Sequence, residues 1–274
     1  MSRTSFVLVQ QKPPTGWRGW VYHTAVDLAL AIGRVLLHFR AFGTENFPAT
    51  GPVLVLANHP SYLDPPTLVA ISIYYAKRDL SIMAWDKLFR IPLVAFFTRT
   101  YKAYPVDRDN PGRGPYVTLL DILKKGGVAG VFPEGSRSAQ RTMGPWKPGA
   151  LRAAFATRAT ILPITLVTAG KFWPKGTWRP QWFRSHRVVV HKAIPYSEYA
   201  AGVADGPAGR QAQEALAVRL QQIINQPVLD HDQALQRKLQ DAAAKTDPLR
   251  PRPKAPLPTP QTRKEQAAFR LFGW

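Results

Sequence analysis

The sequence predicts an α/β domain in which helices flank a mostly parallel central sheet. Along the middle of the chain, short apolar runs that are typical of strands alternate with segments of helical periodicity. This alternation favours a layered fold with a largely parallel sheet. Two of the runs, Val53–Ala57 and Val128–Phe132, are apolar throughout, which indicates buried strands. With 274 residues, the chain can form one large core or two small ones.

A first region, residues 1–46, contains a predicted amphipathic helix over Val21–Phe39. Four ionisable residues fall within about 60° of arc on a regular helix, and the other faces are mostly apolar; they are His23, Asp27, Arg34 and His38. The length could span a bilayer, but four ionisable residues make spanning costly. We expect a helix that associates with a membrane surface; a core helix whose polar stripe faces water is the alternative. We expect no secretory signal peptide.

The central region, residues 47–226, carries the predicted sheet, and residues 41–52 form a connector into it. The predicted strands are Val53–Ala57, Leu80–Trp85, Tyr101–Arg108, Val128–Phe132, Thr160–Val167 and Arg187–Ile194. The predicted helices are Pro65–Lys77, Tyr116–Lys125, Leu151–Thr157 and Arg210–Asn225. Pro163 lacks a backbone donor, so we expect its strand to lie at an edge of the sheet or to carry a bulge.

The last region, residues 227–274, is interpreted as a basic, proline-rich tail. Its stretch from Asp247 to Pro260 combines several prolines with Arg250, Arg252 and Lys254. Such a composition predicts an extended chain that can hold to anionic headgroups by charge.

Charge and composition narrow the classes of partner and chemistry. The net charge is 37 − 17 = +20, which predicts a negatively charged partner, either anionic lipid or nucleic acid. The absence of cysteine excludes disulfides, a thiolate nucleophile and a cysteine-ligated zinc. His186 and His191 have no ligand partners at metal spacing, so we interpret them as structural and expect no metal site.

His59 and Asp64 follow the first buried strand. On a regular helix, residues five apart point about 140° from each other, and Pro60 and Pro65 exclude a continuous helix here. We expect a turn that folds the Asp64 carboxylate back onto the imidazole, with Asp64 as N-cap of a helix starting at Pro65. A carboxylate on one ring nitrogen leaves the other ready to take a proton. The alternative is a simple helix cap beside a strand-end histidine.

A second polar loop, Glu134-Gly135-Ser136-Arg137, follows the strand Val128–Phe132. Since ligand loops gather beyond the carboxyl ends of parallel strands, we expect it on the same rim as His59. Gly135 permits close backbone approach, the Ser136 hydroxyl and backbone N–H groups can donate to phosphate oxygens, and Arg137 supplies charge. Glu134 would orient Arg137, orient an acceptor hydroxyl, or hold the loop. The alternative is a polar surface turn.

The two loops together resemble the glycerolipid acyltransferases, in particular the 1-acylglycerol-3-phosphate (lysophosphatidic acid) acyltransferases. The stretch N-H-P-S-Y-L-D matches the family's N-H-x-S-x-x-D block, and E-G-S-R-S matches E-G-T-R-S, with Ser136 where threonine is usual. Two weaker blocks also match, Tyr104–Arg108 and Ile161–Ile164. The resemblance covers roughly residues 47 to 195 and implies that the central region, residues 47–226, is an acyltransferase domain.

The resemblance implies transfer of a fatty acyl group from acyl-CoA or acyl carrier protein to the free hydroxyl of a lysophospholipid. The expected acceptor is 1-acylglycerol-3-phosphate, and the expected product is phosphatidic acid. His59 would be the base and Asp64 its partner, with no covalent intermediate, cofactor or metal. The expected phosphate-binding residues are Arg108, Glu134, Gly135, Ser136, Arg137 and Lys147.

The resemblance also favours lipid over nucleic acid as the anionic partner. It implies an enzyme associated with the cytoplasmic face of a membrane and with an anionic membrane surface. Two alternatives stay open from the sequence. One is an acyltransferase of the same fold with a different hydroxyl acceptor, and the other is a non-catalytic basic scaffold that binds membrane or nucleic acid.

Overall fold

The computed structural model describes residues 24, 38–91, 94–95, 98, 102–107, 112–137, 142–172, 176–177, 179, 181, 185–201 and 207–246. The chain divides into two units, Met1–Asp232 and Gln233–Trp274, and the central sheet lies in the first. Several predictions fall outside the described residues: nearly all of the amphipathic helix over 21–39, the role of Arg108, and the proline-rich tail from residue 247.

The central sheet has seven strands in the order β1-β7-β6-β2-β5-β3-β4. Every neighbouring pair is parallel except β6 and β7, which run antiparallel. The prediction of an α/β fold with a mostly parallel central sheet is therefore confirmed. The strands are β1 Arg40–Phe42, β2 Val53–Ala57, β3 Leu80–Trp85, β4 Tyr104–Val106, β5 Val128–Val131, β6 Thr160–Leu166 and β7 Arg187–Val190.

Helices connect and cover these strands. They are α1 Asp64–Ala76, α2 Gly114–Lys124, α3 Gly149–Thr157, α4 Ala169–Phe172, α5 Tyr196–Tyr199 and α6 Pro207–Thr246, with short 3-10 helices at Thr44–Asn46 and Asp86–Arg90. Among the described residues, none of the helices combines the length and the apolar character needed to cross a bilayer.

The last helix, α6, is longer than the predicted segment Arg210–Asn225. It continues through Pro227 to Thr246, with its residues up to Asp232 in the first unit. Buried apolar side chains recur every fourth residue along it and pass the proline without a break: Leu216, Leu220, Ile224 and Val228. This continuous buried face compensates for the missing backbone donor of Pro227, so the first part of the region interpreted as a tail, residues 227–246, is helical.

Strand β6 is an interior strand, so of the two expectations for Pro163, an edge position or a bulge, the bulge is the one that the structure shows. It pairs with β2 on one side, where Pro163 faces Leu56, and with β7 on the other. Three residues separate Val190 from Ile194, whereas two separate Ile161 from Ile164 on the facing strand. The extra residue is a bulge beside Pro163, which places the proline where no ladder donor is needed.

Strand β1 lies before the predicted beginning of the domain at residue 47. Its three residues pair in parallel with β7 and extend the sheet at that edge. The run Arg40-Ala41-Phe42 is short and only partly buried, so it lacks the longer apolar run that predicted the other strands.

The core lies on both faces of the sheet, and β2 is at its centre. Leu54 and Leu56 belong to a cluster with α2, α3 and α6, whereas Val53, Val55 and Ala57 belong to a cluster with α1. Because successive side chains of a strand point to opposite faces, a strand covered on both sides must be apolar throughout. This burial fixes the carboxyl ends of β2 and β5 side by side, where the two polar loops begin.

Candidate active site

The loop after β2 is attached to the neighbouring strand β6 through Asn58. The Asn58 side chain donates from Nδ2 to the Leu166 carbonyl oxygen at 3.2 Å, and its Oδ1 accepts the Leu166 N–H at 2.7 Å. Beyond the end of β6, the backbone passes close to Pro60, because a Cβ added at Gly170 would lie 3.1 Å from the Pro60 Cβ. The two hydrogen bonds of Asn58 hold the backbone before His59 against the end of β6.

His59 and Asp64 form a buried hydrogen-bonded pair, with 2.8 Å between Nδ1 and Oδ2. The same carboxylate oxygen accepts the Ser61 N–H at 2.7 Å. The predicted turn that folds the carboxylate onto the imidazole is therefore confirmed. The imidazole also stacks on Phe132, with ring centroids 4.0 Å apart and planes 16° apart, so its orientation is fixed from both sides.

The prediction that Asp64 is the N-cap of α1 was wrong. Asp64 is the first helical residue, and the cap position belongs to Leu63, whose side chain makes no cap hydrogen bond. Pro65 and Pro66 carry no N–H, and the Thr67 N–H donates to the Leu63 carbonyl oxygen at 3.0 Å. No donor of the first turn therefore requires the Asp64 carboxylate, which turns back toward the loop instead.

The electrostatic environment of Asp64 is set by burial. The side chain is inaccessible to solvent, and desolvation raises its pKa well above its ordinary value of 3.8. The Ser61 N–H and the positive charge of Arg137 lower this pKa, and the charge of Glu134 raises it. The second oxygen, Oδ1, is buried without a hydrogen-bond partner among the described residues.

Glu134 connects the two polar loops through backbone hydrogen bonds. Its Oε1 accepts the His59 N–H at 3.2 Å, and its Oε2 accepts the Gly144 N–H at 3.1 Å. The expectation that both loops lie on one rim of the sheet is confirmed by this contact. The sequence left three roles open for Glu134: to orient Arg137, to orient an acceptor hydroxyl, or to hold the loop. These two bonds correspond to the last role.

Lys147 lies directly against Gly135. The loop turns through a bond from the Gly135 N–H to the Phe132 carbonyl oxygen at 3.0 Å, and the Lys147 N–H donates to the Pro133 carbonyl oxygen at 2.8 Å. Gly135 has φ 72°, and a Cβ there would lie 2.7 Å from Lys147 Cε and 2.9 Å from Nζ. The glycine therefore serves both the left-handed turn and the close passage of the lysine.

Arg137 stacks on Tyr62, which belongs to the His59 loop. The guanidinium carbon lies 3.4 Å from the centroid of the tyrosine ring. Ser136 is exposed in the same loop. Four of the six predicted phosphate-binding residues thus share one short loop with Glu134 as its first member, Lys147 lies against that loop, and Arg108 is outside the described residues.

A cavity of about 250 Å³ opens beside His59. Its walls include Gly135 and Lys147, and the residue after β4, Asp107. The remaining lining is largely apolar and includes Met83, Trp85, Val106, Tyr116, Leu119 and Val131. The site therefore joins a buried His–Asp pair, a basic loop and an apolar recess.

Two histidines outside the two loops, His186 and His191, make structural hydrogen bonds. His186 Nε2 lies 3.0 Å from the Thr67 hydroxyl, and His191 Nε2 lies 2.7 Å from that of Thr165. Burial lowers the pKa of each imidazole to about 4, so both are neutral at pH 7. Within the part of the chain that is described, no three His, Cys, Asp or Glu side chains are grouped to hold a metal ion.

Three contacts of the site were missed by reasoning on the sequence: Asn58 with Leu166, Phe132 under His59, and Tyr62 under Arg137. Each of the three residues adjoins or lies within a loop that had been singled out. The aromatic residues next to the polar ones were the available signal, since flat rings at a strand end or turn favour stacking on imidazole and guanidinium groups.

Comparison with known proteins agrees with this geometry. Residues 38–167 match the sequence model of the acyltransferase family. Over 156 residues, the chain is 31% identical to a chloroplastic 1-acyl-sn-glycerol-3-phosphate acyltransferase of Arabidopsis thaliana, covering 56% of this chain and 42% of that protein. Over 124 residues, it is 31% identical to a 1-acyl-sn-glycerol-3-phosphate acyltransferase of Bacillus subtilis, covering 45% of this chain and 60% of that one.

The fold has a solved counterpart in the 1-acyl-sn-glycerophosphate acyltransferase of Thermotoga maritima. The TM-score is 0.56 at 20% identity, over 77% of this chain and 80% of that one. The sequence matches, by contrast, span about half the length of the curated relatives. Two motif loops on one rim, the family match around them and the shared fold agree: residues 38–167 form a domain of the acyltransferase type, and the chain is similar to 1-acyl-sn-glycerol-3-phosphate acyltransferases.

Proposed function

We propose that the protein transfers a fatty acyl group from an acyl thioester to the free hydroxyl of a 1-acylglycerol-3-phosphate, giving phosphatidic acid. The observation that carries the proposal is the buried His59–Asp64 pair, with 2.8 Å between Nδ1 and Oδ2. A carboxylate on Nδ1 keeps the proton on that nitrogen, so Nε2 is the atom that accepts a proton from the acceptor.

The reaction balances without a covalent enzyme intermediate. His59 Nε2 takes the hydroxyl proton while the acceptor oxygen forms a bond to the thioester carbonyl carbon. The carbon–sulfur bond then breaks, and the departing thiolate takes the proton back from the imidazolium. Asp64, whose side chain is inaccessible to solvent, balances the positive charge of the imidazolium during the step.

The acceptor's phosphate fits the basic loop beside His59. Arg137 offers bidentate donors, Lys147 adds a second positive charge, and Gly135 and Ser136 contribute backbone and hydroxyl donors. Arg108 is included among these ligands because of the sequence resemblance of Tyr104–Arg108. Glu134 holds the loop rather than contacting the anion, because its carboxylate already accepts two backbone N–H groups. Anchoring the phosphate orients the hydroxyl and converts a bimolecular attack into an oriented one.

The apolar recess beside His59 suits an acyl chain. Its lining by Met83, Trp85, Leu119 and Val131 supports burial of methylene groups next to the reacting carbonyl. The donor carrier is CoA or acyl carrier protein, and the chemistry of the site serves either thioester. No cofactor or metal enters the proposed steps.

The enzyme would act at the anionic cytoplasmic face of a membrane, where its acceptor resides. The net charge of +20 supports electrostatic attraction to such a surface. The amphipathic segment over 21–39 would add apolar anchoring.

The test is product identification. Purified protein is mixed with oleoyl-CoA, or with oleoyl carrier protein, and lysophosphatidate in anionic liposomes, and products are analysed by mass spectrometry. We expect phosphatidate, with the better donor shown by the higher kcat/KM. Lysophosphatidylcholine and monoacylglycerol serve as competing acceptors. Preferred acylation of either one would contradict the proposed acceptor, and salt-dependent RNA binding without any acyl transfer would indicate a non-catalytic scaffold.

A further inference from the structure

The contact between Tyr62 and Arg137 joins the two loops at the phosphate site. Tyr62 belongs to the turn between His59 and Asp64, and Arg137 belongs to the loop after β5. With 3.4 Å between the guanidinium carbon and the ring centroid, the two planar groups are in direct contact. Tyr62 as a whole is 43% exposed, so the ring lies at the surface of the site.

Stacking on a ring positions a guanidinium without occupying its N–H groups. The attraction acts on the face of the group, whereas its five donors point outward in the plane. A carboxylate partner would instead neutralise the charge and occupy two donors. Among the described residues, no carboxylate lies within salt-bridge distance of Arg137, and its buried Nη1 has no hydrogen-bond partner.

The surroundings of Arg137 complete an anion site. The Lys147 side chain lies against Gly135, and Gly135 precedes Arg137 by two residues. Gly135 and Ser136 are both exposed, so the backbone of this turn is accessible. An Arg side chain that keeps its donors, together with a lysine and a left-handed glycine turn, matches the requirements of a phosphate monoester.

We propose that Tyr62 is a positioning residue that holds Arg137 ready for the acceptor's phosphate and so sets the affinity for phosphate-bearing acceptors. This inference rests on the proposed function, because the anion concerned is the phosphate of the lysophospholipid. Tyr62 acts through its ring face, so its hydroxyl is dispensable.

The experiment compares four variants of the full chain: Tyr62→Leu, Tyr62→Phe, Arg137→Ala and the double variant Tyr62→Leu/Arg137→Ala. We expect Tyr62→Leu to raise KM for lysophosphatidate by about tenfold, with kcat changed less than about twofold. Tyr62→Phe keeps the ring and the wild-type KM. In the Arg137→Ala background, Tyr62→Leu has no further effect, because the ring acts through the guanidinium. Tyr75→Leu, another exposed tyrosine, is the matched control.

Binding of sn-glycerol 3-phosphate by calorimetry gives a readout that requires no turnover. We expect Tyr62→Leu to weaken it about tenfold and Tyr62→Phe to leave it unchanged. Weakened binding in a protein without acyl transfer would support the anion site while overturning the proposed function. Acyl transfer with an unchanged KM in Tyr62→Leu, or a tenfold loss that persists in the Arg137→Ala background, would overturn the role of Tyr62 alone.

Discussion

The backbone N–H of His59 donates to the carboxylate of Glu134 at 3.2 Å, across a sequence separation of 75 residues. This bond joins the loop that carries the proposed base to the loop that carries the proposed phosphate ligands. The other oxygen of Glu134 accepts the Gly144 N–H, so one side chain sets the position of three backbone segments. The distance between base and phosphate site therefore depends on a residue that needs no contact with substrate.

Replacing Glu134 by alanine should lower kcat and stability together. Two partly buried N–H groups lose their acceptor, which costs about 1–3 kcal/mol of unfolding free energy. Glu134→Gln keeps one acceptor and should lie between wild type and Glu134→Ala. Urea unfolding and steady-state acyl transfer measure the two effects.

The control for Glu134 is Glu198→Ala, which removes an exposed ion pair with Arg219 at 3.3 Å. Exposed pairs contribute about 0–1 kcal/mol, so this variant should resemble wild type. If Glu134→Ala matches the control in stability and kcat but raises KM for the acceptor, the carboxylate acts on substrate rather than on the loop.

Asp64→Asn separates the charge of Asp64 from its shape. Asp64 Oδ2 accepts hydrogen bonds from both His59 Nδ1 and the Ser61 N–H. The amide oxygen of asparagine can accept the same two bonds, so the variant keeps the tautomer of His59. Only the balancing charge is lost. We expect kcat to fall by about 10²-fold, and by more in Asp64→Ala, in which the ring also loses its orientation. Equal rates for wild type and Asp64→Asn would exclude an electrostatic role.

The stability of Asp64→Asn should follow pH in a defined direction. Burial raises the folded-state pKa of Asp64 above its ordinary value of 3.8, so ionising it opposes folding. The stability that protonated Asp64 contributes to the folded state is lost as pH rises from the unfolded-state pKa through the folded-state pKa. At pH 7 the variant should therefore have a Tm at least as high as that of wild type, and this advantage should shrink as the pH falls toward 3.8. A lower Tm at pH 7 would contradict this.

Asn58 offers a test of positioning from the side of β6. Asn58→Ala removes both hydrogen bonds to Leu166, and Asn58→Asp places a carboxylate oxygen against the Leu166 carbonyl oxygen. Both should lower kcat, and Asn58→Asp should lower Tm further because it buries a charge. Asn46→Ala, which removes a bond to the Val190 carbonyl oxygen, should lower Tm alone. A wild-type kcat in both Asn58 variants would show that the loop keeps its position without this attachment.

Two glycines with nearly the same backbone conformation distinguish strain from contact. Gly135 and Gly51 have φ 72° and 76°, so alanine costs about 1–2 kcal/mol of strain at each. An alanine at Gly51 meets nothing within 4 Å, whereas one at Gly135 meets the Lys147 side chain at 2.7 Å. We expect both variants to lose stability, but only Gly135→Ala to raise KM for lysophosphatidate. The same KM in both would remove Lys147 from the phosphate site.

Much of this geometry could be predicted because it depends on local pattern. The apolar run before His59 predicted a buried strand, and the prolines around Asp64 predicted a turn that returns the carboxylate to the ring. The placement of Glu134 on the same rim followed from parallel sheets, in which the carboxyl ends of neighbouring strands lie together.

The rest depends on contacts between distant parts of the chain. The bonds from Asn58 to Leu166 require the order of strands in the sheet, which periodicity does not give. The choice between an edge position and a bulge for Pro163 depends on the order of strands, and the passage of α6 through Pro227 depends on burial of Val228 by tertiary packing. The N-cap role predicted for Asp64 was wrong because the first turn offers its carboxylate no free donor, and the carboxylate bonds to His59 instead.

The most direct test of His59 as the base is thiol release from oleoyl-CoA in the presence of lysophosphatidate. Wild type, His59→Ala and His231→Ala are compared, the last removing a histidine that also lies next to an aspartate, Asp232. We expect acceptor-dependent release by wild type and His231→Ala, reduced about 10²–10⁴-fold or more in His59→Ala. Release at the same rate in wild type and His59→Ala would show that His59 is not the base.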